Sequence, residues 1–210
     1  MIVPDLSFEQ GAWAQGFQLV AGLDEAGRGA WAGPVAAAAV IFPPYEPELV
    51  QRLNGVRDSK KLSARQREAL FPLIQREAIS VGLGMVGPEE IAKVGIAAAT
   101  RQAMVKAVQS LVPQPSFLLI DYVRLPQVNL PQKSIPKGDA RCLSIAAASI
   151  LAKVSRDRLM VEMAQSYPDY GFEGHKGYGT RAHRIALERC GISPVHRYSW
   201  TPFSAVPFRE

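Results

Sequence analysis

The feature that most restricts what this chain can become is a pair of short apolar runs, residues 17–24 and 34–42, divided by a glycine-rich turn. Runs of that length with that punctuation are adjacent strands, and a β-hairpin is the natural reading. A third run, Phe117-Leu118-Leu119-Ile120, is apolar without alternation and closes on Asp121, the pattern of a central strand covered on both faces. Elsewhere the period is helical. Ser63 with Gln66 three residues later makes a capping box ahead of Leu70, Phe71, Leu73 and Ile74, predicting a helix that ends near Ala78 before a strand over 79–86. Gly87-Pro88-Glu89-Glu90 opens a second helix whose buried side runs from Ile91 to Leu111, weakest at Gly95. Residues 132–136 read as a short strand, 139–165 as one long alanine-rich helix, and Thr180 as the cap of a short helix through Arg189. The stretch from Pro168 to Gly179 fits neither period and reads as a loop. Interleaved strands and helices give an α/β class with a mixed central β-sheet, flanking helices and a C-terminal helical segment. Residues 1–17 show no sustained period and read as an N-terminal extension, leaving 18–210 as one domain.

Nearly half of the 210 residues are apolar, enough for a sizeable core, and the net charge of +5 favours an anionic partner only weakly. Position says more than the total. Six basic residues (Arg52, Arg57, Lys60, Lys61, Arg65, Arg67) stand against Asp58 alone between 52 and 67, which suits either a phosphate backbone or a solvated helix face. No basic residue precedes Arg28, so the charged start of a secretory signal is missing, and the longest apolar stretch, 30–42, is interrupted by Gly33 and Pro34 and too short to span a bilayer. A cytoplasmic protein without a membrane segment is expected. Cys142 and Cys190 lack metal-ligand spacing and read as reduced and structural, and His175, His183 and His196 form no compact metal motif.

The chemistry concentrates in Gly22-Leu23-Asp24-Glu25-Ala26-Gly27-Arg28-Gly29. Glycines let the main chain approach a ligand closely, while two carboxylates at a strand end can hold a divalent cation. Successive residues on a strand point to opposite faces, so Asp24 and Glu25 share a site only where the strand ends and twists. Asp121 joins them if its strand is a neighbour with its end on the same side. Asp139, at a helix start, is either a fourth ligand or an N-cap. Crowded carboxylates call for a hard cation, and two Mg²⁺ or Mn²⁺ ions roughly 3.5–4 Å apart could activate water against a phosphodiester. Two rival readings use the same residues. A dinucleotide-binding enzyme fits poorly, since Gly22, Gly27, Gly29 and Gly33 do not give G-x-G-x-x-G. A non-catalytic RNA-binding module would keep Arg28, Lys60 and Tyr178 and make the acids structural.

The ordered blocks themselves carry a resemblance. Gly22 to Gly29, followed by Ala32-Gly33-Pro34-Val35 and Arg57-Asp58-Ser59-Lys60-Lys61-Leu62, resembles the type 2 ribonuclease H family in its bacterial ribonuclease HII form. The likeness continues through Leu119-Ile120-Asp121, Lys137-Gly138-Asp139, the helix blocks from Ser144 to Val154 and Arg156-Asp157-Arg158, His175-Lys176-Gly177-Tyr178-Gly179-Thr180, and His196-Arg197 with Ser199, so it spans roughly 18–200. It implies a ribonuclease H-like fold and an endonuclease for the RNA strand of RNA/DNA hybrids and for single ribonucleotides in duplex DNA, cutting 5′ of the ribonucleotide and leaving 3′-hydroxyl and 5′-phosphate ends. It further implies Asp24, Glu25, Asp121 and Asp139 as catalytic ligands of Mg²⁺ or Mn²⁺, two ions being held with substrate bound. Gly27, Arg28 and Gly29 would read the ribose 2′-hydroxyl, and Tyr178 would pack on the sugar at the junction. Ser59, Lys60, Lys153 and Arg156 are candidate phosphate contacts, though Lys153 and Asp157, four apart on one helix, could simply pair. The chain departs from the family in two places: residues 91–96 lack the expected Asp and Asn, and Tyr122 stands where glycine is common.

Overall fold

The computed structural model describes residues 3–199. Its core is a five-stranded sheet of β1 (Val20–Ala26), β2 (Val35–Ile41), β3 (Ser80–Val86), β4 (Phe117–Asp121) and β5 (Gln132–Ile135), in the spatial order β3-β2-β1-β4-β5. β1 pairs antiparallel with β2 and β2 with β3, whereas β1–β4 and β4–β5 are parallel, so the sheet is mixed as expected. β1 and β2 are indeed adjacent and antiparallel, with Ala26 opposite Ala36 across the 27–34 loop. One boundary matters for the site: β1 runs on through Ala26, so Asp24 and Glu25 lie within the strand rather than beyond its end.

The helices are α1 (Ser7–Trp13), α2 (Leu49–Arg52), α3 (Ala64–Glu77), α4 (Pro88–Val94), α5 (Ile96–Gln109), α6 (Leu143–Ser166), α7 (Phe172–His175) and α8 (Arg181–Cys190). The Ser63–Gln66 capping box starts α3, and Thr180 caps α8 through the His183 amide. The single helix expected over 87–111 is two, because Gly95 takes φ +78° and turns the chain between α4 and α5. The long helix begins at Leu143 rather than Asp139, which sits in a separate 3₁₀ turn, Gly138–Ala140. The expected loop after Pro168 also contains a 3₁₀ turn and α7. Residues before Phe17, read as an aperiodic extension, contain α1, whose Ala12 and Trp13 enter the core; seven residues are too few to show a helical period.

Alternation along the strands divides the core into two layers. Val20, Ala38, Val40 and Leu119 face α6, α3 and α1. Ala21, Leu23, Ala37, Ala39, Leu118 and Ile120 face α5. Small residues let the layers close tightly: a Cβ on Gly22 would lie 2.2 Å from Ser144 Oγ and 2.4 Å from its carbonyl carbon, so β1 and α6 touch backbone to backbone. The same residues explain why the alanine run of α6 (Ala146, Ala147, Ala148, Ala152) is fully buried. A third cluster joins Met160 of α6 to Tyr170, Phe172, Ala186 and Leu187 in the C-terminal helical region.

Candidate active site

The parallel register that sets Gly22 beside Leu119 and Leu23 beside Ile120 brings Asp24 level with Asp121 one step further on. By alternation both lie on the α6 side of the sheet, the side from which the turn holding Asp139 approaches. Asp24 is 3% exposed and its Oδ1 accepts from the Glu25 amide at 2.7 Å, while Asp121 Oδ1 accepts from the Gly138 amide at 2.7 Å. That second bond ties the Asp139 turn to the end of β4. Glu25, the next residue along β1, is met by Arg28 Nη1 at 3.3 Å. The cleft outside the strand ends has a volume of about 540 Å³ and is lined by Glu25, Asp121 and Asp139 with Arg28, Asp58, Lys60, Tyr122 and Lys137.

Electrostatics show that the acids act on one another. Burial, then the charges of Glu25, Asp121 and Asp139, push the Asp24 carboxyl well above the usual carboxylate range. Burial raises Glu25 despite Arg28 beside it, and burial together with Asp58 and Asp121 raises Asp139 against the pull of Lys60. Burial disfavours the Lys60 ammonium, yet Asp139, Asp24, Asp58 and Asp121 together raise it; its Nζ lies 3.6 Å from Asp139 Oδ2. The donors are carboxylate oxygens, which suits a hard cation and not zinc. Among the described residues no three His, Cys, Asp or Glu side chains are gathered into a preformed metal cage. That is compatible with magnesium-type ligation, in which a few carboxylates share the ion with water and substrate oxygens.

Beside the acids, the 27–34 loop is held from beneath by two buried arginines. Arg156 donates from Nε to Pro34 O at 2.8 Å, from Nη1 to Lys176 O at 2.9 Å and from Nη2 to Ala32 O at 3.0 Å. Arg197 donates from Nη1 to Arg28 O and from Nε to Gly33 O, and burial with the neighbouring Arg156 charge lowers it to about 9. Gly27 takes φ +90° directly over Arg156, where a Cβ would fall 2.1 Å from Nε, so glycine is required there twice over. Gly29, in contrast, faces open space. Trp31 and Ala32 amides donate to Gly177 O, and Ala30 bridges Tyr178, so the Gly-Arg-Gly turn and the Tyr178 loop form one surface.

Two of the expected phosphate contacts are placed differently. Arg156 is fully buried with its guanidinium spent on main-chain carbonyls, and Ser59 is buried with Oγ 2.7 Å from Ser149 Oγ. Their polar atoms serve the fold and do not face the cleft. Lys60 is exposed at the rim. Lys153 pairs with Asp157 at 2.7 Å and lies with Arg156 over the Tyr178 ring, 5.1 and 5.2 Å from its centroid. Sequence reasoning passed over Asp58, whose charge acts on Asp139 and whose Oδ1 accepts from the Lys60 amide at 2.9 Å. It stood in the basic block as its lone acid, which was the available signal. Tyr122, 71% exposed at φ +59°, occupies a left-handed conformation that glycine adopts without strain.

Acids level with one another on two parallel strands of a mixed five-stranded sheet, on a chain similar to solved ribonucleases H, mark a metal-dependent endonuclease of ribonuclease H-like fold. Comparison with known proteins narrows this class. Residues 21–203 match the family model described as ribonuclease HII. A ribonuclease HII of Dehalococcoides mccartyi is 51% identical over 98% of this chain and 96% of its own length, and one of Chloroflexus aggregans is 52% identical over 95% and 94%. Among solved structures, ribonuclease H2 of Pyrococcus horikoshii OT3 superposes with a TM-score of 0.72 at 27% identity, covering 88% of this chain and 94% of that one. Ribonuclease HII of Archaeoglobus fulgidus, solved in complex with PCNA, gives 0.69 at 25% identity over 87% and 95%. The chain belongs to the ribonuclease HII family.

Proposed function

We propose that the protein hydrolyses the RNA strand of RNA/DNA hybrids and cuts 5′ of single ribonucleotides in duplex DNA, using Asp24, Glu25, Asp121 and Asp139 to hold Mg²⁺ or Mn²⁺. The observation that carries this reading is the level placement of Asp24 and Asp121 on neighbouring parallel strands beside the Asp139 turn, with burial and the Asp121 and Asp139 charges raising the Asp24 carboxyl. Two such ions, when bound, supply an activated water and stabilisation of the leaving oxygen. The chain's own groups do the selecting. Gly29 leaves the loop surface open, Arg28 stands at its edge, and the main chain around Gly27 is fixed by Arg156 and Arg197, so a ribose can approach backbone donors and acceptors closely enough for its 2′-hydroxyl to be sensed. Tyr178, joined to the same loop, offers a flat face for the sugar at the junction. Lys60 and Lys153 are the cations positioned at the edges of this surface for backbone phosphates. Arg156 and Ser59 act as supports. Among the described residues no helix is long and apolar enough to cross a membrane.

The test is cleavage of a labelled DNA duplex carrying one ribonucleotide, with Mg²⁺ or Mn²⁺ present. The parent protein is expected to cut once, leaving 3′-hydroxyl and 5′-phosphate ends. Asp24→Asn and Asp121→Asn are expected to lose at least about a hundredfold in kcat while still binding the duplex. Either variant cutting at the parental rate contradicts the assignment.

A further inference from the structure

The candidate ligand Asp139 sits in a three-residue turn, and what fixes that turn from behind is a segment the catalytic reading leaves unused. Residues 5–9 run alongside the link between this turn and α6. The Asp5 amide donates to Arg141 O at 3.3 Å, the Leu143 amide donates to Asp5 O at 2.9 Å, and Asp5 and Cys142 form a parallel bridge. Glu9 closes the contact. Its Oε1 accepts from the Ser144 amide at 2.8 Å and from Cys142 Sγ at 3.2 Å, although Glu9 is 1% exposed.

A carboxylate is placed there at a cost, since burying one in apolar surroundings is unfavourable. The gain is a cap that α6 does not supply for itself. Cys142, the residue before the helix, makes no side-chain cap; Asp5 O takes the Leu143 amide of this 24-residue helix, and Glu9 provides the acceptor for the Ser144 amide from 135 residues away at the positive end of the helix dipole. The capped residue is also the joint of the site. Ser144 is the residue against which Gly22 packs without room for a Cβ, two positions before Asp24 in β1, and it lies five positions after Asp139. Holding Ser144 therefore sets the distance between the strand that carries Asp24 and the turn that carries Asp139.

We infer that Glu9 is a positioning residue for catalysis, a cap donated across the fold that locks the N-terminus of α6 and with it the Asp139 turn. This rests on Asp139 serving as a ligand. Geometry sets the size of the effect: displacement of a reacting group by about 1 Å can cost on the order of a hundredfold in rate.

The experiment measures kcat, KM and the Mn²⁺ concentration for half-maximal rate in the full-length protein at 25 °C, on a duplex with one ribonucleotide, with circular dichroism to verify folding. Glu9→Ala is expected to lower kcat at least about tenfold and raise the Mn²⁺ requirement, with KM for the duplex within about twofold, because the nucleic-acid surface is untouched. Glu9→Gln keeps an acceptor for the Ser144 amide and is expected to stay within about threefold of the parent. Glu9→Asp withdraws the acceptor by one methylene while keeping the charge, and is expected to fall between the two. A folded Glu9→Ala or Glu9→Asp with parental kcat and Mn²⁺ dependence overturns the inference and leaves Glu9 a stability residue. Should Glu9→Ala not fold, Glu9→Asp against Glu9→Gln decides. Asp139→Asn is run beside them: if it retains full activity, the ligand assignment fails, whatever the Glu9 variants do.

Discussion

Replacing Arg156 by lysine keeps a positive charge and removes the planar fork. The guanidinium serves three carbonyls with three different nitrogens, at 2.8, 2.9 and 3.0 Å, and it does so fully buried. A lysine ammonium is a compact donor on a flexible stem and does not reproduce that fan. At least one and more often two of the carbonyls of Ala32, Pro34 and Lys176 lose their donor where water does not enter. Each orphaned buried carbonyl costs about 1–3 kcal/mol. Both side chains bring a buried cation, so the desolvation cost that already lowers the Arg156 pKa largely cancels between them. The net expectation is a loss of about 2–4 kcal/mol, against about 5–15 kcal/mol for a typical domain, so the variant remains folded at 25 °C. For about 200 residues this is a fall in Tm of roughly 5–15 °C. Urea and thermal unfolding followed by circular dichroism measure it. Because the loosened carbonyls belong to the Gly-Arg-Gly loop and the Tyr178 loop, KM for a single embedded ribonucleotide should rise even at temperatures where the variant is fully folded. A variant within about 0.5 kcal/mol of the parent, with KM unchanged, would refute the view that Arg156 organises the loop from beneath.

His183 and His196 lie fully buried with Nε2 atoms 3.0 Å apart, and burial lowers them to about 4 and about 3. Between those values and about 6.5 the unfolded chain binds more protons, so their contribution, about 3 kcal/mol for His183 alone, is present above pH 6.5 and lost as pH falls toward 4. The raised Asp24 carboxyl works the opposite way, gaining a proton in the fold as pH falls, so Asp24→Asn should steepen the acid loss measured by urea midpoints; a midpoint independent of pH in that variant contradicts the histidine account. Gly22→Ala should destabilise by about 1–3 kcal/mol or more through overpacking on the Ser144 backbone, and lower kcat with it. Gly29→Ala, which meets nothing within 4 Å, should leave Tm within about 2 °C while weakening discrimination for a ribonucleotide over a deoxyribonucleotide; equal loss of Mn²⁺ binding and discrimination would contradict that division.

The sequence carried much of this account, for definable reasons. Strands and helices long enough to express a period were legible, and the acids at the ends of apolar runs pointed to one edge of one sheet, where Asp24 and Asp121 indeed stand level. What stayed hidden depends on contacts distant in sequence. A seven-residue helix such as α1 shows no period, and Glu9 looks like any exposed glutamate until it meets Ser144 from across the chain. Arg156 read as a phosphate contact because a basic residue beside the family's motifs suggests anions; only the fold reveals three carbonyls around it. The break at Gly95 was a local weakness visible in the sequence, but its outcome, two helices, shows only in the positive φ that Gly95 adopts between them.

The central claim is that four separated carboxylates meet around divalent metal at the ends of β1 and β4. Anomalous diffraction from crystals of the Asp24→Asn protein grown with Mn²⁺ and an uncut duplex carrying one ribonucleotide tests it most directly. The account predicts manganese peaks within bonding distance of Glu25, Asp121 or Asp139 and of the phosphate 5′ to the ribonucleotide. Manganese bound elsewhere, with that phosphate remote from all three acids, would contradict it.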